Sequence, residues 1–217
     1  RDDRRLRERD GIANSIGIPV LASVPVAHPS AAAGWTKLFE SYKPTSVHSW
    51  QLRTVLRHLE TSRPGLGRFS YDSNGSSLYN GDRVSTHNGD AGPFSLTVLS
   101  LSSDSRALAL GPQLAVFAAS QGIPTALVIG PQQDTAGTAT LRTACAASPS
   151  EASTRHGMLQ AVTYDVGGFD LQADTALVIV IAVVDSRAPK MPDTMRTSAT
   201  GIGVSAGAAT AAQLARA

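Results

Sequence analysis

From Pro93 onward, apolar runs and segments of helical period alternate along the chain. "FSLTVLSL" (94–101) reads as a strand. "ALGPQLAVFAASQG" (109–122) reads as a helix closed by Gly122, and "PTALVIG" (124–130) as a second strand. A helix over "AGTATLRTACAAS" (136–148), a weaker strand in "LQAVTYD" (159–165) and a continuous apolar run in "TALVIVIAVVD" (175–185) follow. "MPDTMRTSA" (191–199) predicts a short helix or turn, "GIGVS" (201–205) a weak strand and "TAAQLARA" (210–217) a final helix. Strands that are apolar throughout and alternate with helices predict an α/β fold. In it, a mostly parallel central sheet carries helices on both faces in three layers. Sites in such sheets lie at the carboxyl ends of the strands, so Ser100–Arg106, Gly130–Asp134 and Asp185–Pro189 are expected to share one rim.

The first 60 residues read differently. "RDDRRLRERD" is a mixed-charge run, compatible with a solvated helix start or with a segment that follows a membrane span. "IPVLASVPV" (18–26) is β-branched and bounded by prolines, which predicts a short strand, and "HPSAAAG" (28–34) reads as linker. "SVHSWQLRTVLRHLE" (46–60) predicts an amphipathic helix with Ser46 as N-cap and Val47, Trp50, Leu52, Val55, Leu56 and Leu59 as its apolar positions. Core packing is the expectation for both Trp35 and Trp50. Residues 61–93 lose all periodicity to Gly, Ser, Asn and Asp, as a long flexible loop would. Asn74-Gly75-Ser76 within it is a short glycosylation triplet with nothing else to suggest secretion. The expected organisation is thus a juxtamembrane arm (1–60), the loop (61–93) and an α/β domain (94–217).

Composition narrows the class. At 217 residues and 42% hydrophobic, the chain can bury a core, which must rest on aliphatic residues because only 5% are aromatic. A net charge of +2 does not call for a nucleic-acid partner. The single cysteine, Cys145, excludes an internal disulfide framework and reads as a small buried residue rather than a nucleophile. No stretch approaches the ~20 apolar residues of a membrane span. The chain opens on Arg1 with neither a Met nor a signal peptide, and is expected to be a piece of a longer protein.

"LSLSSDSRALALGPQLA" (99–115) has the layout of a nucleotide-binding loop: strand, small polar turn, helix. A working loop needs glycines to wrap phosphates with backbone N–H groups, a lysine for the terminal phosphates and a hydroxyl for magnesium. Here Ser102 to Arg106 provide no glycine, Ala107 stands in the lysine place and Leu108 in the hydroxyl place. Asp104 puts a negative charge where phosphate would sit, and Arg106 is the one nearby cation. Ser103, Asp104, Ser105, Arg106 and Asp185 form the candidate rim, vestigial rather than catalytic. Asp185 either stands as a Walker-B-like acid or ends its strand as a turn residue. ATP, magnesium and other metals are not expected. The five histidines (His28, His48, His58, His87, His156) make no metal-ligand spacing. "GVSAG" (203–207) matches the G-x-S-x-G nucleophile elbow, but no Asp, Glu or His follows Ser205, so it reads as a tight strand-to-helix turn.

The order of these pieces resembles the cytoplasmic part of bacterial polysaccharide chain-length determinants and their fused tyrosine kinases. "LRERDGIANSIGIPVLASVPV" is similar to the segment that follows their second transmembrane helix. "WQLRTVLRHL" is similar to their E-x-x-R-x-L-R-T-N-L helix through Gln51-Leu52-Arg53-Thr54. Residues 95–130 align without gaps on their phosphate-loop region, with Gln113-Leu114-Ala115 in the place of Asn-Leu-Ala. "GIGVSAGAATAAQLARA" resembles their closing segment. The likeness covers nearly the whole chain in pattern but not in catalytic residues. The kinase lysine is Ala107, its hydroxyl Leu108 and its second-motif acids Gly130 and Gln132, and Tyr42, Tyr71, Tyr79 and Tyr164 form no C-terminal cluster.

The resemblance implies a P-loop-like domain without kinase activity at the cytoplasmic face of a bacterial membrane, anchored by segments outside this chain. Its expected partners are polysaccharide assembly or export machinery and other copies of itself through the α/β domain. The alternative is a nucleotide-binding enzyme of kinase or ATPase type that uses Arg106 and Asp185 in an atypical loop.

Overall fold

The computed structural model describes residues 8–26, 28–61, 70–71, 77–78, 93–130, 135–147, 158–164, 171–187 and 197–215. Within the long loop it places only β1 (Ser70–Tyr71) and β2 (Ser77–Leu78), an antiparallel pair. The other residues between 62 and 92, with the Asn74 triplet and His87 among them, the charged residues 1–7 and His156 lie outside the described residues.

The main sheet is built from β3 (Phe94–Leu101), β4 (Thr125–Ile129), β5 (Leu159–Thr163), β6 (Leu177–Val184) and β7 (Ala199–Ile202). Its five strands run in the order β5-β4-β6-β3-β7, and every pairing is parallel. The three central strands are apolar on both faces because both faces are covered. β4 and β6 are buried at every position, and β3 at all but Ser95.

One face packs against α4 (Leu110–Ser120), which a 3-10 turn at Ala107–Ala109 introduces, and against α5 (Thr135–Ala147). α4 is buried through nine consecutive residues, from Gly111 to Ala119. It lies close to the sheet because Gly111 has no side chain. A Cβ there would stand 3.0 Å from Ile181 Cγ1 and 3.6 Å from Val98 Cβ. Gly122 ends the helix with φ 80°, a backbone angle that glycine adopts without strain. The opposite face carries α1 (Arg9–Ile16) and α6 (Ala211–Leu214), whose Ile12, Ile16 and Leu214 pack with Leu99, Leu101, Ala182 and Val184. Thr210 starts α6 with a capping box, exchanging hydrogen bonds with Gln213.

The first 60 residues differ from the sequence reading in four ways. Residues 18–26 do not form a strand. They pair with no strand of the sheet, and Val24 and Val26 instead lean on the main core. The stretch read as linker runs into α2 (Ala32–Ser41). Its Trp35 is wholly buried and donates from Nε1 to Thr140 Oγ1 of α5 at 3.0 Å. α3 (Ser46–Thr61) is the expected amphipathic helix, but its cap is Thr45, whose hydroxyl accepts the His48 N–H at 3.4 Å. Leu52, Leu56 and Leu59 are buried, while Val47 and Trp50 are 62% and 66% exposed. The expectation that Trp50 packs in the core is therefore overturned: it lies on the helix face turned to solvent. Trp35, Leu38, Phe39, Leu52, Leu56 and Leu59 belong to the same buried cluster as α4, α5 and the sheet.

Candidate functional site

Strand order locates the crevice. From β3 the chain moves over β6 to β4, and from the adjacent β6 it moves over β3 to β7, in the opposite direction. Two neighbouring strands whose exits diverge form a topological switch point, where open α/β sheets hold their ligands. The loop after β3 (Ser102–Arg106) and the residues after β6 (Asp185–Arg187) therefore flank the crevice, and Gly130 follows β4 on the same rim. Residues 131–134 and 188–189, also expected there, lie outside the described residues.

The protein's own groups bond to one another at this end of the sheet. Ser102 donates its N–H to the Val184 carbonyl at 2.9 Å, and its Oγ accepts the Ser186 N–H at 3.2 Å. These two bonds tie the exits of β3 and β6 together. One step further, Asp104 turns inward and is 3% exposed. Its Oδ1 accepts the Ala107 N–H at 3.3 Å, at the start of the 3-10 turn that leads into α4. Its Oδ2 accepts the Ser205 N–H at 2.6 Å. The carboxylate thus receives two backbone donors at a helix entrance, the interaction that a phosphate oxygen receives in a nucleotide loop.

The other rim residues point elsewhere. Ser103, Ser105 and Arg106 are exposed. Asp185 is half-buried, and its Oδ1 accepts the Arg187 N–H at 2.8 Å in an Asx turn directly after β6. Gly130 donates its N–H to Ile181 O at 2.9 Å, and its carbonyl accepts Arg142 Nη2 of α5 at 3.4 Å. The structure therefore brings Asp104 and the Ser205 backbone together, and the Asp185 carboxylate closes its own turn.

Ser205 lies in the turn between β7 and α6, where Gly207 has φ 75°. Strand β7 ends at Ile202, so "GVSAG" follows the strand rather than ending it. The role of Ser205 as a backbone donor to a residue 101 positions away was not legible in the sequence, because any residue type supplies that N–H. The bond from the buried Ser186 N–H to the half-buried Ser102 hydroxyl was hidden for the same reason. Cys145 is buried on α5, and burial pushes its thiol up to about 12, with Arg142 opposing the shift. It is protonated and unreactive at neutral pH. Among the described residues, no group of three His, Cys, Asp or Glu is placed to hold a metal ion. Nor is any helix among them long and apolar enough to cross a membrane. No protein-family model, no curated protein and no solved structure matches the chain.

Proposed function

We propose that the chain is a non-catalytic regulatory and interaction domain of a bacterial membrane protein that controls exopolysaccharide or capsule chain length and export. It works at the cytoplasmic face, held there by segments outside this chain. Its partners are polysaccharide assembly or export machinery and other copies of itself, met through the α/β domain. The setting rests on the resemblance of residues 6–26, 50–59, 95–130 and 201–217 to the chain-length family. The absence of catalysis rests on Asp104, whose buried carboxylate takes the Ser205 and Ala107 N–H groups at 2.6 and 3.3 Å. A nucleotide phosphate would have to displace a negative charge already satisfied by the donors it needs. With Ala107 and Leu108 in the lysine and hydroxyl places, nothing compensates for that displacement.

Thermal unfolding with and without magnesium-ATP or magnesium-ADP tests the catalytic half of this reading. A nucleotide at a hundred times its Kd would add about 2.7 kcal/mol of stability. The expected result is no shift. An upward shift that Arg106→Ala abolishes would establish instead an enzyme that binds nucleotide through an atypical loop. The membrane half is tested on the gene: two spans encoded upstream of Arg1 support it, and a gene that encodes no span overturns it.

A further inference from the structure

A second apolar cluster lies on the sheet face opposite α4, over the carboxyl ends of β3 and β6. Leu99, Leu101, Ala182 and Val184 come from the strands, and Leu214 of α6 is buried with them. Ile12 and Ile16 of α1 pack against the same cluster, and so does Val204, the residue before Ser205. α1 and α6 lie against each other. Apolar packing therefore connects α1 to the turn whose backbone N–H holds Asp104.

α1 is weakly seated. None of its residues is buried, and Ile12 and Ile16 are only partly covered, at the i, i+4 spacing that puts both on one face. Eight residues are too few for a helix to persist in water without tertiary contacts, and the single turn of α6 is shorter still. Each keeps its form only while it stays on the cluster, so the two gain and lose order together. The bond from Arg9 Nη2 to the Val20 carbonyl stays within the arm and does not tie α1 to the sheet. Beyond Gly17 the arm has its own anchor, because Val24 and Val26 pack on the main core. α1 can thus leave the sheet while the rest of the arm remains in place.

We propose that α1 is a releasable strap that controls the crevice at Asp104. Docked, it presses α6 and Val204 onto the sheet and keeps the Asp104 carboxylate bound to the Ser205 N–H. Released, it loosens α6 and the turn over residues 203–209, and that carboxylate loses its partner from the turn. Whatever acts on the chain where it enters α1 acts on the crevice as well. The device stands without the function proposed above, since it rests on packing inside this chain.

Native-state hydrogen exchange of the whole chain, read amide by amide by NMR, tests the strap. In urea below the unfolding midpoint, the bonded amides of Ile12, Gly17, Ser205, Leu214 and Ala215 are expected to open on one common isotherm. Those of β4, β6 and α4 are expected to stay protected until the whole chain unfolds. Ile12→Asp combined with Ile16→Asp charges the docking face. It is expected to speed exchange at Ser205 and Leu214 by at least about tenfold and to leave β4 and β6 within about twofold. Asp104→Asn weakens the far end and is expected to speed exchange in α1 by at least about threefold, because coupling between two sites is reciprocal. Asn14→Asp adds a charge on the exposed side of α1 and is expected to change neither. The proposal is overturned if α1, Ser205 and Leu214 open on separate isotherms, or only with the whole chain. It is overturned equally if the double variant leaves Ser205 unchanged, accelerates β4 and β6 as much, or is matched by Asn14→Asp, or if Asp104→Asn leaves α1 unchanged. The urea series uses the unaltered protein, so it decides the question even if the double variant does not fold.

Discussion

The Asp104 carboxylate and the Ser205 backbone N–H meet at 2.6 Å across 101 residues of chain, joining the loop after β3 to the turn after β7. The bond is charge-assisted and part-buried, and the same buried carboxylate takes the Ala107 N–H on its other oxygen, so it holds two loops and a helix entrance in one arrangement. Asp104→Ala leaves the Ser205 N–H without a partner, while the Ala107 N–H keeps its bond to the carbonyl of residue 104 at 3.2 Å, and is expected to cost about 1–3 kcal/mol. Asp104→Asn keeps an acceptor oxygen and is expected to cost about half as much. Urea unfolding checks both values. A change below about 0.5 kcal/mol for Asp104→Ala would show that the loops are held by other means.

The two tryptophans are expected to behave oppositely. Trp35 is wholly buried and bonded to Thr140, so Trp35→Ala should lose about 3–5 kcal/mol. Trp50 is 66% exposed, and Trp50→Ala should stay within about 0.5 kcal/mol. Fluorescence separates them independently of stability. Trp50→Phe should leave a blue-shifted emission from the apolar site of Trp35, and a red-shifted remainder would contradict its burial.

Gly111→Ala sets helix propensity against packing. In an exposed helix the change would gain about 1 kcal/mol. Here the new methyl would stand 3.0 Å from Ile181 Cγ1, on a buried β-branched side chain with little freedom to turn away. Overpacking costs about 1–3 kcal/mol, so a net loss of about 1 kcal/mol is expected in chemical denaturation. A stabilised variant would mean that α4 shifts easily over the sheet.

His28 predicts a pH dependence. Burial lowers its pKa below the ordinary 6.5, its Nε2 is buried without a hydrogen-bond partner, and its ring stands edge-on to Trp35 at 5.4 Å. Below pH 6.5 the unfolded chain takes up a proton that the folded chain refuses, so stability falls as pH drops through that window and is unaffected above it. His28→Phe should remove this component. Melting temperatures of the two proteins from pH 5 to 8 provide the comparison, and parallel curves would count against the assignment.

Cys145 should react with a thiol reagent at pH 8 only after unfolding, since its buried thiol is pushed up to about 12. Rapid labelling of the native protein would place the cysteine at the surface.

Much of the fold is written in local pattern. The runs 125–129 and 177–184 are apolar at nearly every position and 94–101 at five of eight, as suits strands covered on both faces, so the parallel sheet and its flanking helices follow from periodicity. Gly122 and the Thr210–Gln213 pair mark helix ends by their own chemistry. Local pattern also made the loop after β3 recognisable by its layout, and the missing glycines and lysine told against a working phosphate site there.

What the tertiary structure alone decided depends on contacts between distant positions. Residues 18–26 have the composition of a strand but pair with no strand of the sheet, because composition does not specify a partner. Trp50 sits at helical spacing with buried leucines, yet a helix stripe is wider than the surface that covers it, and α3 is packed on one side only. Asp104 looked like a charge out of place in an anion's position. Only the folded chain brings the Ser205 N–H against it, since a backbone donor has no sequence signature and a hydrogen bond across 101 residues has no local cause.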